Sequence, residues 1–212
     1  MRFAPEKCQT TGNNADNIQR WVATGPRAWG VGYHAVSPTR DYLYPWTNAW
    51  FNSRCDPSTL TGSGNDIDAA ITNLFAMHNR MHDFAYYLGF DEPHWNAQQY
   101  NNGLGGVGND GVFGNAQAQA ISGGAPNYAG RDNANMSAGS EGSHPQTNMF
   151  LWQSLAASFY APCVDGDYDF SVYGHEFGHM IENRMIGKGV GARQGTHAGA
   201  MGEAFGDFDA LE

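Results

Sequence analysis

Residues 175–179 read His-Glu-Phe-Gly-His, and no other stretch limits its own conformation so tightly. Two imidazoles four residues apart reach one point only on a helix, where positions i and i+4 lie one turn apart on the same face. Val172, Tyr173, Phe177, Met180 and Ile181 give that helix an apolar body, so a helix is predicted from about Phe170 to Ile186. With His175 and His179 as metal ligands, Glu176 lies one step round the helix, placed to take a proton from a water on that metal. A catalytic zinc ion takes three protein ligands and keeps a fourth position open. The third candidate is Glu203, twenty-four residues after His179 on a further predicted helix from about His197 to the C-terminus. Asp207, one turn beyond Glu203, is placed to accept the free ring N–H of a ligating histidine. Carboxylates at i and i+4 with no Lys or Arg nearby repel one another, and a dication removes that cost. The competing readings are histidines satisfied by core hydrogen bonds and acids solvated on a surface helix. Met201, Ala204, Phe205 and Phe208 make the segment too apolar for the second of these.

The rest of the chain must build the support for those helices. Ile67, Ala70, Ile71, Leu74, Met77, Met81, Phe84, Ala85 and Leu88 recur in steps of three and four, which predicts a long helix over about 66–88. Asp66 stands at its N-cap and Gly89 where a left-handed residue ends a helix. Residues 1–62 show short alternating pieces such as Trp29-Gly30-Val31-Gly32-Tyr33, read as short strands and turns. Residues 101–143 are mostly Gly, Asn, Ala and Ser, which predicts short antiparallel strands joined by tight turns and packed on the long helix. The fold class expected is α+β.

Composition removes several function classes. Eleven Lys and Arg against 21 Asp and Glu give a formal charge of −10, the wrong sign for tracking a phosphate backbone, so no nucleic-acid partner is expected. No run of about 18 apolar residues is present, so no membrane partner is expected. The N-terminal Met1-Arg2-Phe3-Ala4-Pro5-Glu6-Lys7-Cys8 lacks the apolar core of a signal peptide. Cys8, Cys55 and Cys163 form no CxxC, which argues against a thiolate zinc site and leaves open which pair, if any, is bridged. His78 and His82 also stand at i and i+4, but with no acid between them they read as polar residues flanking a core stripe. His34, His94, His144 and His197 stand alone and read as surface residues. Asp165, Asp167 and Asp169 alternate like the start of a calcium loop, which makes Ca2+ a secondary candidate. The closing Glu of an EF-hand is missing, however, and acids beside a helix start need no ion.

The ordered set of motifs resembles the fungalysin (M36) metallopeptidases, a family of thermolysin-like gluzincins. The resemblance rests on His175–His179 with Glu182-Asn183-Arg184-Met185-Ile186-Gly187, and on Met201-Gly202-Glu203-Ala204-Phe205-Gly206-Asp207-Phe208. Upstream it takes in Asp165-Gly166-Asp167-Tyr168-Asp169 and the long-helix residues between Asn73 and Glu92, so it covers about 65–212. Departures from the family pattern are Phe177 and Phe205 for Tyr or Trp, and Gly206 for Ser. The resemblance implies one zinc ion held by His175, His179 and Glu203, with Glu176 as general base and Asp207 as the carboxylate behind a ligand. The stretch Asn148-Met149-Phe150-Leu151-Trp152 resembles the family's edge strand, which makes Asn148 and Met149 substrate-binding candidates. It implies a thermolysin-like zincin with a β-rich N-terminal lobe over 1–164 and active-site helices over 165–212. The expected function is a secreted zinc-dependent endopeptidase acting on peptides or proteins. The competing class is a zinc-stabilised, non-catalytic binding or structural module. In the family a helical C-terminal lobe follows the ligand Glu. That lobe is expected to be missing from this chain, and a C-terminal lobe or second chain to complete the cleft.

Overall fold

In the computed structural model the protein runs β1 (Ala15–Gln19), α1 (Ala49–Ser53), α2 (Ile67–Tyr87), β2 (Val112–Ala116), β3 (Ala134–Ser137), β4 (Gln146–Met149), β5 (Leu151–Trp152), β6 (Val164–Asp165), α3 (Phe170–Ile186) and α4 (Thr196–Leu211). The structure describes residues 8–22, 26–59, 64–122, 130–153, 162–188 and 195–211; the first residues of the chain and Glu212 lie outside these. The architecture is α+β.

The long helix forms where its stripe predicts, except that Leu88 lies just past its end and is exposed. Ile67, Ala70, Ile71, Leu74, Met81 and Ala85 are all buried along one side of α2. Gly89 follows with φ of 101°, a conformation open to a residue without a Cβ. Asp66 occupies the cap position but does not cap. Its carboxylate instead accepts from Thr47 N and Oγ1 and from Ala49 N, tying the helix start to the segment before α1.

The sheet corrects the expectation of antiparallel strands. Its order is β1-β2-β4-β3, with β1 parallel to β2, β2 parallel to β4, and only β3 antiparallel to β4. Parallel neighbours need a crossover, and α2 lies in the connection from β1 to β2 and packs on both. All five residues of β2 are buried, so no alternation marks that strand in the sequence. The Trp29–Tyr33 piece is not a strand but a turn and irregular backbone. A disulfide joins Cys55 to Cys163 across a sequence separation of 108, beside the small β5–β6 pair; Cys8 lies outside the bridge. In the loop-entropy account, a crosslink closing about 100 residues contributes about 4.7 kcal/mol.

Two of the lone histidines also need correction. His34 is 7% exposed, with Nε2 2.6 Å from Asp16 Oδ1, and Asp16 is bridged in turn by Arg27. His144 stacks on Trp29, with ring centroids 5.1 Å apart, and its Nδ1 reaches Gly111 O. Their partners are distant in sequence, so nothing local marks them as interior. His94 and His197 are exposed, as expected.

Candidate active site

The site is made where α3 and α4 cross. Asp169 starts α3: its carboxylate accepts from Ser171 N and Val172 N, satisfying amides that the first turn leaves without helical partners. Just before it, Asp165 Oδ1 accepts from Asp167 N, Asp165 Oδ2 from Gln117 Nε2, and Asp167 Oδ2 from Gln117 N. These N–H donors engage three of the four carboxylate oxygens, which makes the pair a brace between β2 and the start of α3.

Glycines bring the two helices together. A Cβ on Gly174 would lie 3.0 Å from Ala210 Cα, one on Gly178 3.0 Å from Gly206 Cα, and one on Gly206 2.9 Å from His175 O. That close approach carries the α4 acids over the α3 histidines.

The geometry follows. The rings of His175 and His179 stand 4.5 Å apart, and their Nε2 atoms lie 3.3 and 3.7 Å from Glu203 Oε2. His175 Nδ1 is 2.8 Å from Asp207 Oδ1, and since a carboxylate only accepts, the ring donates from Nδ1. A neutral His175 then points its Nε2 lone pair at a carboxylate oxygen. Two electron-rich atoms that close are stable only with a cation between them, either a proton or a metal. A tetrahedral ion with bonds of about 2.0–2.1 Å spaces its ligand atoms by roughly 3.4 Å, close to the spacing here. The residues therefore fit a metal. Among the described residues, His175, His179 and Glu203 are the group whose ligand atoms all fall within 4.8 Å of one another.

Glu176 is adjacent but separate. It is 6% exposed, and burial pushes its carboxyl up to about 7; the Glu203 charge adds to this and His175 opposes it. It lines a cleft of about 380 Å³ together with Asn133, Ala134, Trp152, His175 and Asp207. That volume is in the range of sites that hold a small ligand or a peptide segment.

Asn148 and Met149 are not on the sheet edge. β4 is an inner strand covered by β3, Met149 is fully buried, and the Asn148 amide bonds to Asn115 on one side and Asn135 on the other. Among the described residues β3 ends the sheet on that side, and its Ala134 faces the cleft. Sequence reasoning missed this because the hairpin that covers β4 lies within the Gly- and Asn-rich stretch, where strands leave little pattern. His78 and His82 do not converge on an ion. His78 is buried among Asn17, Leu74 O and Thr147, and burial pushes it down to about 3, while His82 meets Asp83 and Gln98.

The family model described as Fungalysin metallopeptidase (M36) matches residues 3–212. The chain is 33% identical over 201 residues to the extracellular metalloproteinase MEP of Fusarium vanettenii. It is 34% identical over 201 residues to the extracellular metalloproteinase mep of Aspergillus flavus, and 33% identical over 204 to the probable extracellular metalloproteinase 2 of Arthroderma benhamiae. Each match covers 94% of this chain, and the chain spans 28% of each relative's length. A metallopeptidase family implies a metal, and the His-His-Glu cluster is where these residues would hold it. The chain belongs to the fungalysin (M36) family of metallopeptidases.

Proposed function

We propose that this chain carries the catalytic centre of a secreted, zinc-dependent endopeptidase of thermolysin-like build, with active-site helices from residue 165 onward set against a lobe formed by 1–164. The observation that carries the reading is the convergence of His175, His179 and Glu203, with Glu176 buried beside them and left out of the cluster. Two imidazoles and a carboxylate are a zinc donor set with room for a fourth ligand. A bound zinc ion supplies a polarised carbonyl and a water of lowered pKa. Glu176 accepts the proton of the attacking water and, by microscopic reversibility, returns it to the leaving amine. Asp207 fixes the His175 ring by its hydrogen bond. β3, the outermost strand of the sheet among the described residues, would receive an extended peptide by strand addition alongside the cleft that its Ala134 lines. Calcium is not part of this reading, because three of the four Asp165–Asp167 oxygens already serve N–H donors. The extracellular names of the relatives support secretion.

The test is a Glu176→Gln exchange with metal content and peptide cleavage measured on the same sample. The expected result is zinc retained near one per chain and cleavage lost. Equal cleavage by the exchanged chain would remove Glu176 from the reaction. Loss of zinc with Glu176 would favour a structural role for the whole cluster.

A further inference from the structure

Three asparagines and one arginine form a hydrogen-bonded ladder across the sheet, and it runs in only one direction. Arg27 is 2% exposed at its side chain and lies over the Phe113 ring, with Cζ 4.3 Å from the centroid. Its Nη1 donates to Asn115 Oδ1 at 2.9 Å. Asn115 Nδ2 donates to Asn148 Oδ1 at 2.7 Å, and Asn148 Nδ2 to Asn135 Oδ1 at 2.7 Å. Asn115 and Asn148 are direct partners in the β2–β4 register, as are Asn148 and Asn135 in the β3–β4 register. A guanidinium can only donate, so each amide in turn is fixed with its oxygen toward Arg27 and its NH2 toward the edge. The last NH2, on exposed Asn135, has no further strand beside it among the described residues.

We propose that Asn135 is a specificity-determining residue: a pre-oriented N–H donor that reads a hydrogen-bond-accepting side chain on a peptide strand paired with β3. This rests on the strand-addition reading above. Thr147 contacts His78 of α2, so Asn148 and its partner Asn135 face the opposite side of the sheet from the helices. The peptide residue opposite Asn135 therefore presents its side chain on the face away from the metal cluster, within reach of the amide. A carboxylate or amide oxygen there accepts from Asn135 Nδ2; an alkyl or ammonium group does not. The ladder is what stops Asn135 from rotating its oxygen outward to suit a donor instead.

The test is a positional scan of binding. Glu, Leu and Lys are placed in turn at each position of a host peptide, and affinities are measured for the zinc-loaded 212-residue chain carrying Glu176→Gln to prevent turnover. One position should favour Glu over Leu by about three- to tenfold, the size of one net hydrogen bond. In Asn135→Asp that preference should vanish and Lys should gain at the same position; in Asn135→Leu the position should become indifferent. Asn148→Leu should also reduce the preference for Glu, although Asn135 itself is intact. Binding with the same profile in Asn135→Leu as in the parent overturns this inference alone. Absence of peptide binding by the parent overturns the inference together with the reading of the site on which it rests.

Discussion

His175 is gripped from two sides, by Asp207 at Nδ1 and by the Glu203 carboxylate at Nε2, and these contacts have different consequences when removed. With the proposed ligand set, His175→Ala, His179→Ala and Glu203→Ala would each leave two ligands and should abolish zinc retention through gel filtration. Asp207→Ala leaves all three and should weaken affinity about 10- to 100-fold, measured by competition with a chelator. Full affinity in Glu203→Ala would move the third ligand elsewhere on α4. A second residue-scale prediction concerns the buried Asp165–Asp167 pair. Burial, the neighbouring Asp165 charge and the hydrogen bond between the two side chains hold Asp167 well above the usual carboxylate range. In the unfolded chain an aspartate titrates near about 3.9. The fold therefore keeps a proton that the unfolded chain releases, so stability is full below the unfolded pKa and falls as pH rises toward the folded one. Asp167→Asn imitates the protonated acid and should match or exceed the parent's stability at about pH 7 in urea denaturation, with a flatter pH dependence. A loss above about 1.5 kcal/mol would show that the fold needs the carboxylate there.

Among the elements, α3 depends on one side chain at its far end. Arg184 is 1% exposed and donates to Ala138 O, Trp95 O, Asn96 O, Ser140 O and Ser143 O as well as to Asp110 Oδ2 at 2.8 Å. It fixes the last turn of α3 to two loops that carry few apolar groups of their own. Arg184→Met should cost about 3–5 kcal/mol in chemical denaturation, because the buried Asp110 carboxyl loses its counter-charge. Adding Asp110→Asn should recover part of that loss, and no recovery would place the cost in the carbonyl contacts instead. The helices were legible because burial on one face leaves a period in the sequence: α2 from its stripe, α3 from the apolar residues around the histidines. The sheet was not, since β2 is buried on both faces and β3 and β4 are short and amide-rich, so neither alternation nor a turn signal distinguished inner strand from edge. Within the site, the meeting of His175, His179 and Glu203 was legible from spacing. The contribution of β3 was not, because it arises from pairing across the sheet.

For the whole molecule, the glycine-lined contact between α3 and α4 sets a limit on how firmly the site is held. α4 has glycines at 199, 202 and 206, each less favourable in a helix than alanine by roughly 0.5–1 kcal/mol. Asp207 and Asp209 lie toward its C-terminal end, where the helix dipole disfavours negative charge. Met201, Phe205, Phe208 and Leu211 are exposed, so little apolar burial offsets these costs in the chain described. The element that supplies Glu203 is thus a weak helix, docked through backbone proximity and the His175–Asp207 hydrogen bond. The apparent affinity for metal is then the intrinsic affinity reduced by the fraction of time α4 is docked. Amide hydrogen exchange should show it: protection in α4 should rise on zinc addition far more than in α2, and equal protection with and without metal would mean α4 is docked on its own. In that sense an ion bound as proposed would act as a packing residue of the α3–α4 interface, filling by coordination a contact that the glycines leave without side chains.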